Sequence, residues 1–434
     1  MPGMRVSRVD VMRFRVRAQE LDRDGGASDA AVLDLGVQDT GPGGAGWALD
    51  IRGASPATED LVLAWTLRGA PHVYRRVEVA AVAAATAPWS EADAAKRIFD
   101  AAKPLEAAGI PVLTALDVMA AEMRDIAVRP VVKGEMSSEL TRRLAAPYVR
   151  DCVPCGAVHA YEQPFRLTAL RAGLELEPGT SPPVLRRIPR WRGPAATVPE
   201  HLDPVRGVLR LLGPATPKLV AGFVDAPVRE VAVRWPEDVE TVEVDGQRLD
   251  VLAEDSQALV GAEATGAVRL LGPFDLFLQG RDRELMVPDA SSRKDLWRPL
   301  GRPGRSSPVT RSSAAGDPVR PARSSGSQYR SGTAVTRRPG STTRPSGWPP
   351  SGASPSRGTS ARDQIRPGQT RSRISAMPWP PPTHIVISPV LLSCQSRELS
   401  IVFCSRAPVM PNGWPTAIAP PLTLRRSMSM PRSW

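Results

Sequence analysis

The apolar positions of the first 300 residues recur with helical spacing in some stretches and strand spacing in others. Val9 to Asp22 reads as a helix, with Met12, Val16 and Leu21 on one side and Arg13 and Arg17 on another. A Gly/Asp turn follows, then a short apolar segment from Ala30 to Val37 and a tight loop at Gly41, Pro42, Gly43, Gly44 and Gly46. Leu61 to Leu67 is an apolar run that ends at Arg68-Gly69, ahead of Pro71 and His72. From Trp89 the signals sharpen. Ser90 with Asp93 predicts a capped helix to about Ala102, before Pro104, and Thr114 with Asp117 predicts a second ending near Ile126. Lys133-Gly134 breaks the chain, and Ser137 starts a third, short helix through Arg143. Val158 to Leu176 and Val184 to Ile188 read as extended. Three short helices followed by extended segments predict a winged helix-turn-helix over residues 86–195.

A weaker version of this pattern follows. Val208 to Leu212 precedes Gly213-Pro214-Ala215-Thr216-Pro217 and an apolar segment to Val224. Glu230 to Trp235 and Val239 to Leu252 then read as strands, with Asp245-Gly246 as a turn. Residues 196–256 are therefore expected to form a further winged-helix-like domain, and residues 1–85 an N-terminal region of the same kind. Val268 to Val287 has strand character, so residues 257–304 read as the start of a β-barrel. The predicted class is α+β: tandem winged helix-turn-helix domains, an incomplete C-terminal β-barrel, and a disordered Arg/Pro/Ser-rich tail over residues 305–434.

Charge changes the picture. The 434 residues carry a formal net charge of +11, which suggests a partner rich in anions. The sum conceals two unlike parts. Residues 301–434 hold 19 arginines, no lysine and three acids, a net of +16; residues 1–300 hold 37 basic and 42 acidic groups, a net of −5. The basic excess belongs to the tail, so local patches must carry any argument for nucleic acid. From Pro303 onward stand 21 of the 46 prolines, with no helix or strand period before Ile385. Such a segment reads as a disordered arm. It also reads as the product of a shifted reading frame: freely back-translated, residues 305–319 permit, one frame over, a strand-turn-strand peptide.

Several classes are excluded. No run of about 18 apolar residues marks a membrane span, and Met1 to Arg17 lacks the apolar core of a signal peptide. Four cysteines are too few for a disulfide framework, which points to a cytoplasmic setting. Walker A, H-E-x-x-H and G-x-S-x-G patterns are absent, and no small-molecule cofactor is expected.

Two basic groups are candidates for DNA contact. The third helix presents Ser137, Ser138, Thr141, Arg142 and Arg143, types suited to phosphates and base edges. Arg186, Arg187, Arg190 and Arg192 flank Ile188 and Trp191 where a wing would close. Both sets also fit an ordinary solvated face. Gly41-x-Gly43-x-x-Gly46 with Asp60 matches a dinucleotide fingerprint, but no βαβ repeat surrounds it. Cys152-x-x-Cys155-x-x-x-His159 has zinc-ligand types at close spacing, with Glu162 as a fourth candidate. No second ligand pair lies in the first 300 residues, since Cys394 and Cys404 belong to the tail; two half-buried thiols beside a hydrogen-bonded histidine, with no metal, is the simpler expectation. A redox role for the cysteines lacks thioredoxin-like surroundings. His72 reads as a loop histidine packing a turn. Asp275, Arg281, Asp282 and Arg283 read first as an Arg–Asp structural pair and second as a phosphate contact through Arg281 or Arg283.

Several segments together resemble one family, the bacterial winged-helix proteins that include DNA glycosylases unhooking alkylated bases and interstrand crosslinks. They are Leu35-Gly36-Val37-Gln38-Asp39-Thr40-Gly41-Pro42, Thr66-Leu67-Arg68-Gly69-Ala70-Pro71-His72, Ser137 to Arg143, Cys152 to His159, Gly213-Pro214-Ala215-Thr216 and Leu270-Leu271-Gly272-Pro273-Phe274-Asp275. The resemblance implies tandem winged helices and a small β-barrel folded around double-stranded DNA, with His72 facing the DNA. It also implies a catalytic triplet, Gln-apolar-Gln or Gln-apolar-Asp, that places the attacking water. Here the triplet falls on Gln38, Asp39 and Thr40 and departs at two positions. Asp39 can act as a base on water oriented by Gln38, yet a carboxylate one residue early points to the other side of an extended strand. The leading expectation is sequence-independent or lesion-directed duplex binding; the alternative is a monofunctional glycosylase hydrolysing the N-glycosidic bond of alkylated or crosslinked bases. A third is a scaffold that does not bind DNA.

Overall fold

Ser7 opens the first helix with a reciprocal cap: its hydroxyl accepts from the Asp10 N–H while the Asp10 carboxylate accepts from the Ser7 N–H. In the computed structural model, which describes residues 4–297, 390–395 and 398–403, this helix is α1 (Arg8–Ala18), preceded by β1 (Met4–Val6). As the spacing predicted, Met12, Val16 and Leu21 are buried. The chain continues through β2 (Val37–Gln38), α2 (Gly44–Asp50), β3 (Leu61–Trp65) and β4 (Pro71–Arg75). Gly36 is required at the entry to β2, because its φ is +88° and a Cβ there would overlap the Tyr74 ring.

Next come α3 (Val79–Thr86), α4 (Glu91–Ile98), α5 (Ala102–Ala107), α6 (Val112–Ile126), β5 (Val131–Val132) and α7 (Lys133–Arg143). The Ser90 cap is present, with the Asp93 N–H donating to the hydroxyl at 3.2 Å. The single helix expected to Ala102 is broken at Phe99, whose φ is +53°, and Pro104 is accommodated in the first turn of α5. Thr114 does not start α6. The Glu91 carboxylate does, accepting from the Val112 and Leu113 N–H groups at 2.7 and 3.2 Å. Ser137 likewise lies inside α7, which begins four residues earlier than expected.

The segment read as extended from Val158 to Leu176 is corrected. After the hairpin β6 (Val149–Cys152) and β7 (Ala157–Ala160), residues Glu162–Arg171 form α8, and β8 (Leu174–Leu176) and β9 (Val184–Arg187) follow. Pro164 stands in the first turn of α8, where it lacks no bond, and Phe165, Thr168 and Ala169 give the buried helical face. Asp203 and Thr216 then cap α9 (Pro204–Leu212) and α10 (Pro217–Val224). Glu230 to Trp235, expected as a strand, contributes instead to α11 (Val228–Val233): only Val231 is fully buried, so the alternating valines carry no strand face. The remaining elements are β10 (Val239–Val244), β11 (Gln247–Leu252), α12 (Ser256–Gly261), β12 (Val268–Leu271), α13 (Arg283–Met286), α14 (Ala290–Leu296), β13 (Val390–Gln395) and β14 (Glu398–Phe403).

This mixed helix-and-sheet protein has four open sheets among the described residues, ordered β2-β4-β3-β8-β9-β5, β1-β10-β11, β12-β13-β14 and β6-β7. None closes into a barrel. The expected barrel start supplies one strand, β12, and the rest of Val268 to Val287 turns into short helices around Phe277, Leu278 and Met286, which are buried in the core beneath α1. Regular structure also occurs where the tail was read as disordered: β13 and β14 form an antiparallel hairpin, and β13 pairs with β12. The rest of residues 305–434 lies outside the described residues. Across the largest sheet, Leu63 pairs with Leu176, so the N-terminal strands and those after α8 form one surface.

One arrangement occurs twice. α6, β5, α7 and α8 lead into the antiparallel strands β8 and β9, with β5 on β9. In the same order, α9, Ala215, α10 and α11 lead into β10 and β11, with Ala215 bridged to Asp250 of β11.

Candidate active site

β2 pairs Val37 with Val73 and Gln38 with His72, and the Asp39 N–H extends the ladder to the Pro71 carbonyl at 2.9 Å. Extended backbone alternates its side chains, which sends Gln38 and Thr40 to one face and Asp39 to the other. Gln38 Nε2 donates to Thr40 Oγ1 at 2.9 Å. Asp39 Oδ1 accepts from the Ala45 N–H at 2.9 Å in the first turn of α2, whose N-cap, Gly43, has no side chain to do this. The glycines of the loop thus serve the start of α2. The dinucleotide reading fails here, because every pairing in the sheet beside the loop is antiparallel and offers no parallel-strand crevice.

Arg68 joins the Gln38 face from the β3–β4 turn, at φ +59°. Its Nη2 donates to Gln38 Oε1 at 3.5 Å and to Gln279 Oε1, and its Nη1 to the Phe223 carbonyl at 2.6 Å. The guanidinium also lies 4.8 Å from the centre of the Phe223 ring. Burial, with a contribution from Arg281, lowers its pKa to about 10, so it stays cationic at neutral pH. Gly69 follows with φ +69°, where a Cβ would collide with the Gln163 amide. Sequence reasoning quoted Arg68 without assigning it and missed Gln279 and Phe223. An arginine-glycine pair between two apolar strands was the available signal.

His72 is no loop residue. It sits buried in β4, with Nδ1 2.9 Å from the Ala70 carbonyl and 3.0 Å from Thr66 Oγ1, and among the described residues no acid pairs with it. Burial first, then the Arg68 charge, pushes its pKa down to about 3. An unfolded chain protonates this ring near pH 6.5. Between those values the unfolded state holds the extra proton, so stability rises with pH. It is complete above about pH 6.5 and falls by up to about 1.4 kcal/mol per pH unit on acidification toward the folded value. Urea midpoints measured from about pH 7.5 to about pH 4.5 check this, because His72→Asn keeps a donor for Ala70 without a titrating group and shows a shallower decline.

A groove of about 760 Å³ lies between β10–β11 and the segment from Arg281 to Trp297, lined by Arg281, Arg283, Arg293 and Lys294 among others. Arg283 stacks on Trp297 at 4.9 Å, and its pKa is lowered by desolvation and then by Arg281. Asp275 and Asp282 do form structural pairs, but with Arg52 and Arg15 from the N-terminal region. Arg281 and Arg283, left out of these two pairs, both line the groove.

The other predicted residues are dispersed. Ser138 and Thr141 bond back to helix carbonyls of α7, Thr141 also accepts from the Ala160 N–H, and Ser137 is half-buried. Arg142 and Arg143 are exposed and paired with Glu139 and Glu122. Arg186 pairs with Glu175, and Arg187 donates to the Arg124 carbonyl. Arg190 and Arg192 are exposed. Cys152, Cys155 and His159 do converge, their ligand atoms lying within 4.8 Å of one another. Glu162 does not join them, being held by Lys133 at 2.9 Å and Arg166 at 2.6 Å.

The fold and this site define a helix-and-sheet protein with a polar, arginine-supported face at the end of a short strand. Residues 48–311 match the family of AlkZ-like DNA glycosylases, and the chain belongs to that family. The solved structure of the Streptomyces sahachiroi DNA glycosylase AlkZ is similar in fold, with a TM-score of 0.51 at 20% identity over 67% of this chain and 82% of that one. Among curated proteins none matches the chain.

Proposed function

We propose that the chain is a monofunctional DNA glycosylase that hydrolyses the N-glycosidic bond of alkylated or crosslinked bases in duplex DNA. The observation that carries this reading is the pairing of Gln38 with Thr40 on one face of β2, with Arg68 on the amide oxygen. That bond and the Arg68 contact fix the direction of the amide. Gln38 Oε1 and Thr40 Oγ1 each keep a lone pair for a water, which is thereby held for attack on the sugar. An alkylated purine already carries positive charge and departs as a neutral base, so placing the water matters more than protonating the leaving group. Family membership supports the same chemistry. Incubation with alkylated duplex is expected to produce alkali-labile abasic sites, and none with unmodified duplex. Duplex binding without any such sites would leave the second reading, binding alone. One observation favours that reading: Asp39 is engaged at α2, so it offers no carboxylate to the Gln38 face.

The two helix–helix–helix–hairpin units are read as winged helices that hold the duplex. In the first of them α8 has no exposed residue, so α7 with Ser138, Arg142 and Arg143 is the presented helix. Its surface ion pairs are worth under about 1 kcal/mol and exchange readily for phosphate. Arg281 and Arg283, adjacent and of like charge, are assigned to the backbone of the DNA. Replacing both with alanine is expected to lower the slope of log affinity against log salt by about 2, read from binding titrations at several salt concentrations.

A further inference from the structure

We propose that Cys152, Cys155 and His159 form a three-ligand site for a thiolate-preferring divalent cation, zinc above all, with the fourth position left to water or an outside ligand. The hairpin is built for it. In the turn between β6 and β7, the Cys155 and Gly156 N–H groups both donate to the Cys152 carbonyl, at 3.0 and 2.9 Å, and Gly156 takes φ +61°. This tight knuckle brings the two sulfurs together. Register does the rest: Cys152 pairs with Ala157, so His159, two residues on, is the diagonal neighbour of Cys152 on the same face. The ligand atoms lie within 4.8 Å of one another, and tetrahedral zinc ligands stand about 3.5–3.8 Å apart, so binding needs a contraction of about 1 Å.

The second observation concerns the imidazole. His159 Nδ1 lies 2.8 Å from the Ala160 carbonyl, which can only accept. Nδ1 therefore carries the proton and Nε2 keeps the lone pair, the outer-shell arrangement that orients metal-bound histidines. Two thiols and an imidazole select a soft cation over magnesium or calcium. The hairpin also needs a staple. Of its strand residues only Cys152 and Ala160 are buried, Val153 at the turn is 91% exposed, and an isolated two-stranded ribbon is marginal in water. The cation takes both sulfurs as thiolates, so binding releases the protons they still carry to solvent.

The test uses the full chain, purified without chelator. Elemental analysis is expected to find one zinc ion per chain, absent from Cys155→Ser and His159→Gln and retained when Cys394→Ser and Cys404→Ser are combined. Titration of the metal-free Cys394→Ser, Cys404→Ser protein with cobalt(II) alone is expected to give thiolate charge-transfer bands that saturate at one equivalent, with protons released. That arm decides the matter even if Cys155→Ser or His159→Gln fails to fold. Absence of both zinc and cobalt–thiolate bands overturns the proposal, as does equal metal content in Cys155→Ser or a Cys152–Cys155 disulfide in the reduced preparation.

Discussion

Gln38→Ala is expected to lower the rate of base release from alkylated duplex by about 100-fold or more while leaving duplex affinity nearly unchanged. The amide is the only group in the triplet that contacts both Thr40 and Arg68, so its removal frees the water, while Arg68 keeps its bonds to Phe223 and Gln279. Thr40→Ala removes one of two contacts to the water and is expected to cost about tenfold. Asp39 separates the alternatives. A carboxylate acting as the base would make Asp39→Asn lose about 100-fold or more. A carboxylate that only accepts from the Ala45 N–H is replaced well by asparagine, so Asp39→Asn is expected to keep its activity within about threefold. Single-turnover release of abasic sites reads all three variants. Loss in Asp39→Asn equal to that in Gln38→Ala would return catalysis to the carboxylate.

What the sequence made legible was local. The Ser90 cap and the buried side of α1 depend on neighbours within four residues, and those interactions are written in the order of the chain, whereas Lys133-Gly134, read as a break, opens α7. The triplet at Gln38 was placed by resemblance, and strand alternation alone foretold that Asp39 would face away from it. Misreadings arose where a distant group took over a local task. Glu91 rather than Thr114 starts α6, and burial of Phe165, Thr168 and Ala169 makes a helix of α8 within a segment read as extended. Half of the candidate site was hidden for the same reason. Arg68 meets Phe223 and Gln279 more than 150 residues away, and no spacing rule reaches across that separation. Of the arginines assigned to DNA from sequence, Arg143 and Arg186 have acidic partners 21 and 11 residues away that only the fold brings near, whereas Arg142 pairs with Glu139 one helical turn back.

Asp275→Ala is expected to destabilise the protein by about 3–5 kcal/mol, a fall in Tm on the order of 10 °C. Arg52 and Asp275 are both buried, joined by two hydrogen bonds at 2.7 and 2.9 Å. Arg52 also donates to the Ala48 carbonyl at 2.7 Å and to Gln19 Oε1 at 3.0 Å, and Gln19 Nε2 donates to the Leu211 carbonyl. Asp275 Oδ1 accepts in turn from the Phe277 N–H. One ion pair therefore ties α1, α2 and α9 to the turn that leads to Gln279 and Arg281. Removing the carboxylate alone leaves a guanidinium in the core with no counter-charge, and that desolvation is the source of the cost. Removing both charges is different: Arg52→Met with Asp275→Leu is expected to recover most of the lost stability, since two apolar groups need no partner. The double variant should nevertheless lose glycosylase activity, because Gln279 would no longer be held against Arg68. Thermal melts and abasic-site assays on the same three proteins separate these effects. Equal stability of Asp275→Ala and wild type would mean that water reaches Arg52 and that the pair does not organise the site.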